Sequence, residues 1–95
     1  MKLRWSPEAI DDLVSIRDYV ARDDPAVAVD VVRTIMAIVA QQLPRFPHAG
    51  RAGRVDGTRE LVVPGLPFIV PYRVRRDVIE VVRVYHASRR WPDSF

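Results

Sequence analysis

The sequence predicts an α+β fold: a helical hairpin packed on a small, mainly antiparallel sheet, in the order β-α-α-β-β-β. Three observations predict it. Residues 7–43 carry two apolar stripes at helical spacing, each opened by a capping residue and a proline. Only two or three residues join the stripes, so the helices must run antiparallel. Residues 60–85 hold three stretches rich in valine and isoleucine, divided by turn residues. A chain of 95 residues and 10.9 kDa has the size of one domain, here 1–95.

Lys2-Leu3-Arg4-Trp5 alternates polar and apolar and reads as a short strand. Ser6-Pro7-Glu8 then opens a helix. The serine hydroxyl caps it, the proline suits its first position, and the glutamate meets the positive end of its dipole. Ala9, Leu13, Ile16 and Val20 form the buried stripe, widened by Ile10 and Val14, and place the helix over 7–22. Asp11, Asp12, Arg17 and Asp18 lie off it. Asp24-Pro25 repeats the start signal. Ala28, Val32, Ile35 and Val39 form the second seam, flanked by Val29, Met36 and Leu43, over 25–42. Pro44 stops this helix. Asp30 and Arg33 are its only charges, so it is expected to be covered on more than one side.

Residues 44–58 change character. Three glycines, two prolines and three arginines make a long loop, and loops of this length are often functional. Glu60 to Val63 is the next strand, closed by Pro64-Gly65 in a type II turn. Phe68 to Val74 follows, and its Pro71 belongs on an edge or at a bulge. Val78 to Tyr85 is the last strand. A two-residue loop at Arg76-Asp77 puts Phe68, Val70, Tyr72 and Val74 on one face with Ile79, Val81, Arg83 and Tyr85, and sets Arg73 opposite Glu80. A three-residue loop exchanges the faces. The tail 87–95 is short and basic, with Trp91 and Phe95.

Composition narrows the function. The absence of cysteine excludes a disulfide scaffold and thiolate metal sites. No unbroken run of about 18 apolar residues is present, so no membrane partner is expected. The start lacks a signal-peptide pattern, so a cytoplasmic location is expected. Net charge is +3, and it is unevenly distributed: residues 44–95 carry ten arginines and five acids. Arginine's planar fork suits carboxylate or phosphate. Such a half either faces an anionic partner or is an ordinary arginine-rich surface.

These elements, with Trp5-Ser6-Pro7-Glu8-Ala9 leading into Asp12-Leu13, Phe46-Pro47-His48-Ala49-Gly50-Arg51, Gly57-Thr58-Arg59-Glu60-Leu61, Tyr72-Arg73-Val74, and Val84-Tyr85-His86 with Arg89, Arg90, Trp91 and Pro92, resemble the RelE/ParE family of type II toxin–antitoxin toxins. The resemblance spans nearly the whole chain. It implies a bacterial growth inhibitor, neutralised by a cognate antitoxin that wraps an extended, often acidic segment around it. One branch of the family cleaves messenger RNA on the ribosome. The ParE-like branch acts on DNA gyrase and lacks the nuclease residues. RNA-cleaving members often carry an arginine three residues before the middle-strand tyrosine, and here that position is Ile69. His86 matches a histidine of some nuclease members.

A ParE-like toxin directed at gyrase is therefore the expected reading. The alternatives are a ribosome-dependent endoribonuclease and a non-toxic relic that only binds a partner. If the chain is a nuclease, His86 is the proton carrier and Arg83, Arg89 and Arg90 supply charge. The competing reading of His86 is a structural hydrogen bond at a strand end. Arg51, Arg54, Arg59, Arg73 and Trp91 are the candidates for antitoxin or target contacts. His48 reads as a turn residue, and Tyr72 and Tyr85 as packing residues rather than stacking platforms. No metal site and no cofactor are expected: the two histidines have no carboxylate at ligand spacing, and no glycine opens a helix around a phosphate.

Overall fold

The computed structural model describes residues 1–95. In chain order the elements are β1 (Lys2–Trp5), α1 (Pro7–Ala21), α2 (Pro25–Gln42), β2 (Arg51–Ala52), β3 (Arg59–Val62), β4 (Phe68–Arg75), β5 (Val78–Val81) and β6 (Tyr85–His86). The sheet order is β1-β5-β4-β3-β2, and β6 also pairs with β4. Only β1–β5 is parallel. The expected α+β layout holds, with the last predicted strand divided into β5 and β6 and a two-residue strand added inside the 44–58 loop.

Both helix starts form as the sequence predicts. Ser6 accepts from Ala9 N at 3.0 Å, with Pro7 next in the chain. Asp24 accepts from Ala26 N at 3.0 Å and Val27 N at 3.2 Å, with Pro25 beside it. One such cap contributes about 1 kcal/mol. The helices lie on one face of the sheet. Ala9, Leu13, Ile35, Val39 and Leu43 pack there against Val70, Tyr72, Ile79, Val81 and Val84. The expected second cover on α2 is not present. Val29 and Met36 stand 46% and 41% exposed, because α1 and the sheet reach only the opposite side of the helix. By length and composition α2 could cross a bilayer, contrary to the reading of the sequence. In this fold Ala28, Ile35 and Val39 bury its inner face.

The β4–β5 hairpin takes the two-residue loop. Arg75 pairs with Val78, Arg73 with Glu80, and Tyr72 with Val81. Arg76 adopts φ +53° to close it. Beyond Val81 the straight register fails. Val82 N and Arg83 N both donate to Pro71 O, at 2.9 and 3.5 Å. Two residues therefore oppose one, a β-bulge. Downstream, Ile69 pairs with Tyr85 and Phe68 with His86. The extra residue exchanges the faces: Val84 joins the core, and Tyr85 turns to the face away from the helices. The expected placement of Arg83 and Tyr85 beside Ile79 and Val81 is thus corrected. Pro71, which has no N–H to donate, sits opposite the bulge.

Candidate functional site

Helix α1 fastens the bulge. Asp12 accepts from Arg83 Nε at 2.7 Å and Nη2 at 2.9 Å, and its Oδ2 also accepts from Val84 N at 2.9 Å. The Ser6 hydroxyl that caps α1 donates to Val82 O at 2.7 Å. Val82, Arg83 and Val84 in succession are thus held by the cap and the first two turns of α1. The hydrogen bonds to Asp12 push the Arg83 pKa further above the ordinary arginine value, although burial pulls it down. Charge-assisted, bidentate pairs of this kind are the stronger ones.

A second carboxylate organises the loop. Glu60 is buried on β3. It accepts from Arg51 Nε at 3.1 Å and Arg54 N at 2.8 Å, and the Arg54 guanidinium lies 3.7 Å away. On the other face of the sheet Arg59 donates to His48 O at 3.2 Å and Gly50 O at 2.9 Å. The Tyr72 hydroxyl donates to Pro47 O at 2.9 Å and accepts from Gly50 N at 2.9 Å. A Cβ on Gly50 would come within 2.6 Å of that hydroxyl, so the close approach requires glycine.

The bulge separates two concavities. The first is a groove of about 930 Å³ between the helices and the Pro64–Phe68 turn, lined by Ile16, Val20, Val31, Leu66, Phe68 and Val84 together with Arg83, His86 and Arg89. The second is a cleft of about 770 Å³ on the opposite face, bordered by Arg73, Arg83, Arg89, Arg90, Glu8 and Glu80. The tail folds beneath its arginines. Trp91 and Phe95 pack on Tyr85, with centroids 5.0 and 6.0 Å from its ring. Arg89 lies 4.1 Å over the same ring, Arg83 lies 4.7 Å from it, and Arg54 lies 4.3 Å over Trp91.

The candidate residues are therefore distributed unevenly. Arg83, Arg89 and Arg90 share the cleft with Arg73. His86 does not line it. Its ring meets Phe68 edge-on at 5.6 Å, and its Nδ1 accepts from Ser88 N at 3.1 Å. Arg51 and Arg54 are tied to Glu60, yet their side chains stay 52% and 45% exposed. Arg59 holds the loop backbone, and Trp91 is half-buried among aromatic rings. Asp12 and Glu60 were not singled out from the sequence as organising residues. Both lie inside the stretches that carry the family resemblance, Asp12-Leu13 and Arg59-Glu60-Leu61, and that was the available signal.

Residues 3–91 match the family described as the ParE toxin of type II toxin–antitoxin systems, parDE. The putative toxin Y4kP of Sinorhizobium fredii is 43% identical over 91 residues, covering 96% of this chain and 93% of that protein. Toxin RelE2 of Caulobacter vibrioides is 31% identical over 85 residues, covering 90% and 93%. Among solved structures, a chain of the chromosomal ParDE TA system from P. aeruginosa superposes with a TM-score of 0.83 at 34% identity, covering 90% of this chain and 95% of that one. Fold and sequence together define a toxin of the type II toxin–antitoxin class. The chain belongs to its ParE toxin family.

Tyr72 yields a test of the loop anchor. Burial raises its pKa from the usual 10.0, against the Gly50 N–H and the Arg59 charge. A raised folded pKa means its contribution is complete below pH 10 and is lost as pH climbs through the folded value. Tyr72→Phe should cost about 1–3 kcal/mol at neutral pH, since Gly50 N–H loses its acceptor. Its urea midpoint should then fall less steeply above pH 10 than that of the parent. Parallel alkaline limbs would contradict this placement.

Proposed function

We propose that this chain inhibits growth by binding DNA gyrase and that a cognate antitoxin holds it inactive in the cytoplasm. The supporting observation is the division of the nuclease set. Ile69 fills the strand position where RNA-cleaving members of the family often carry arginine. Arg83 is neutralised by Asp12. The His86 Nδ1 is engaged by Ser88, and Arg73 and Arg90 line a cleft that His86 does not. Transition-state charge in phosphodiester cleavage needs a proton carrier and free cations converging on one phosphate. This arrangement favours binding over cutting. The antitoxin reading draws on the likeness to a ParDE structure, on the apolar groove beside α1, and on Arg51 and Arg54, which can accept a second carboxylate at their exposed sides.

One observation favours the nuclease alternative. His86, Arg83 and Arg89 meet at the rim of the groove, and one relative carries the name RelE2. Induction of the chain without its antitoxin separates the readings. Filamentous cells, with gyrase supercoiling blocked by the purified chain, are the expected result. Rapid translation arrest with cut messages, abolished by His86→Ala in a folded protein, would install the nuclease instead. Unimpeded growth would leave only a binding relic.

Antitoxin affinity should fall as salt rises, because arginine–carboxylate contacts are screened within about 10 Å at 0.1 M salt. Titration calorimetry at two ionic strengths checks this. Salt-independent affinity would assign the contact to the apolar groove alone.

A further inference from the structure

We propose that the cleft on the outer face of the sheet binds the phosphate backbone of duplex DNA through Arg73, Arg89 and Arg90. The neighbouring Glu80 and Arg83 are already neutralised. The chain's ion pairs are Arg4–Glu80, Arg17–Asp18, Arg51 and Arg54 with Glu60, and Arg83–Asp12. Of the two carboxylates lining the cleft, Glu80 is engaged with Arg4 and Glu8 is unpaired. Glu80 faces Arg73 across the strands, yet its carboxylate contacts Arg4 at 2.7 Å. Arg73, Arg89 and Arg90 thus border one cleft without an acidic partner.

Arg89 is also held in place without being neutralised. Its guanidinium lies over the Tyr85 ring, a contact that orders the side chain while keeping its charge. Pre-ordering removes part of the entropy cost of gripping a ligand.

The surroundings select the ligand class. A peptide partner needs apolar anchors in pockets, and in this chain those lie across the sheet, in the groove of Ile16, Leu66 and Phe68. A single strand of RNA or DNA is gripped by stacking its bases on free rings. Here the rings are packed on one another: Tyr85 is buried under Arg89, Trp91 and Phe95, Arg54 covers Trp91, and Phe95 is half-buried against both. Of the charged groups lining the cleft, Arg83 and Glu80 are paired, which leaves three guanidiniums against the single carboxylate of Glu8. A duplex presents phosphates and encloses its bases, and it is bound through charge without regard to sequence. The inference goes beyond the gyrase reading. It is measured without gyrase, so either can fail while the other stands.

Fluorescence anisotropy of the 95-residue chain with a labelled duplex decides it. Binding should be sequence-independent. With three phosphate contacts, affinity should fall about 40-fold between about 50 and 200 mM salt, a logarithmic slope near −2.7. Arg73→Ala, Arg89→Ala and Arg90→Ala should each reduce the slope by about 1. Arg33→Ala, on the exposed side of α2, should leave it unchanged, and melting curves confirm that each variant is folded. Equal weakening by Arg33→Ala would reduce the effect to net charge and overturn the site. So would the absence of binding at low salt, or stronger binding of a single-stranded RNA or a polyglutamate peptide than of the duplex.

Discussion

The Asp12 carboxylate, held between Arg83 and the Val84 amide, is the contact on which the rest of the arrangement depends. A bulge opposite a proline lacks part of its ladder, so something outside the sheet must define its geometry. Helix α1 does so from two points, the Ser6 cap and Asp12. This fixes where the strand changes face. Val84 closes the core beneath α1, and Tyr85 is delivered to the opposite side, where the tail folds over it. The pair is partly buried, with side chains 24% and 12% exposed, so removing one partner costs less than the roughly 3–5 kcal/mol of a fully buried pair.

The two faces of the sheet then differ in chemistry. The helix side holds the apolar core, and its remaining groove combines aliphatic residues and Phe68 with a polar end at Asp12, Arg83, His86 and Arg89. The outer side carries cross-strand charges, with Arg4, Glu80 and Arg73 in one row and Glu60 and Arg51 in the next. Much of the basic second half is internal wiring. Arg51 and Arg54 close the long loop on Glu60, Arg59 laces its backbone, and Arg83 serves the bulge. Six of the ten arginines, Arg45, Arg73, Arg75, Arg76, Arg89 and Arg90, lie outside this wiring and make no ion pair, and three of these, Arg73, Arg89 and Arg90, line one cleft.

Much of the fold was legible because local chemistry dictates it. The Ser6-Pro7 and Asp24-Pro25 starts and the helical hairpin follow from short-range rules, whereas the sequence leaves two hairpin registers open and the folded chain takes the one that sets Arg73 opposite Glu80. Pro71 announced an edge or a bulge. The bulge itself was not legible, because alternation assumes one residue per step and a single insertion inverts everything after it. Asp12 lay off the apolar stripe and read as solvent-facing, since its partner is 71 residues away. Glu60 read as an ordinary strand residue, because the arginines that neutralise it come from a loop without periodicity. The candidate site was legible as a set of residue types. Which arginines remain available depends on pairings that only the folded chain reveals.

A double-mutant cycle on Asp12 and Arg83 tests most directly whether this contact organises the bulge. Stabilities of Asp12→Ala, Arg83→Ala and the double variant would be compared by urea denaturation. A coupling of about 1.5–3 kcal/mol, with each single change about as damaging as both together, is the predicted result. Effects that add within about 0.5 kcal/mol would mean the strand changes face without the clamp, and would contradict the account.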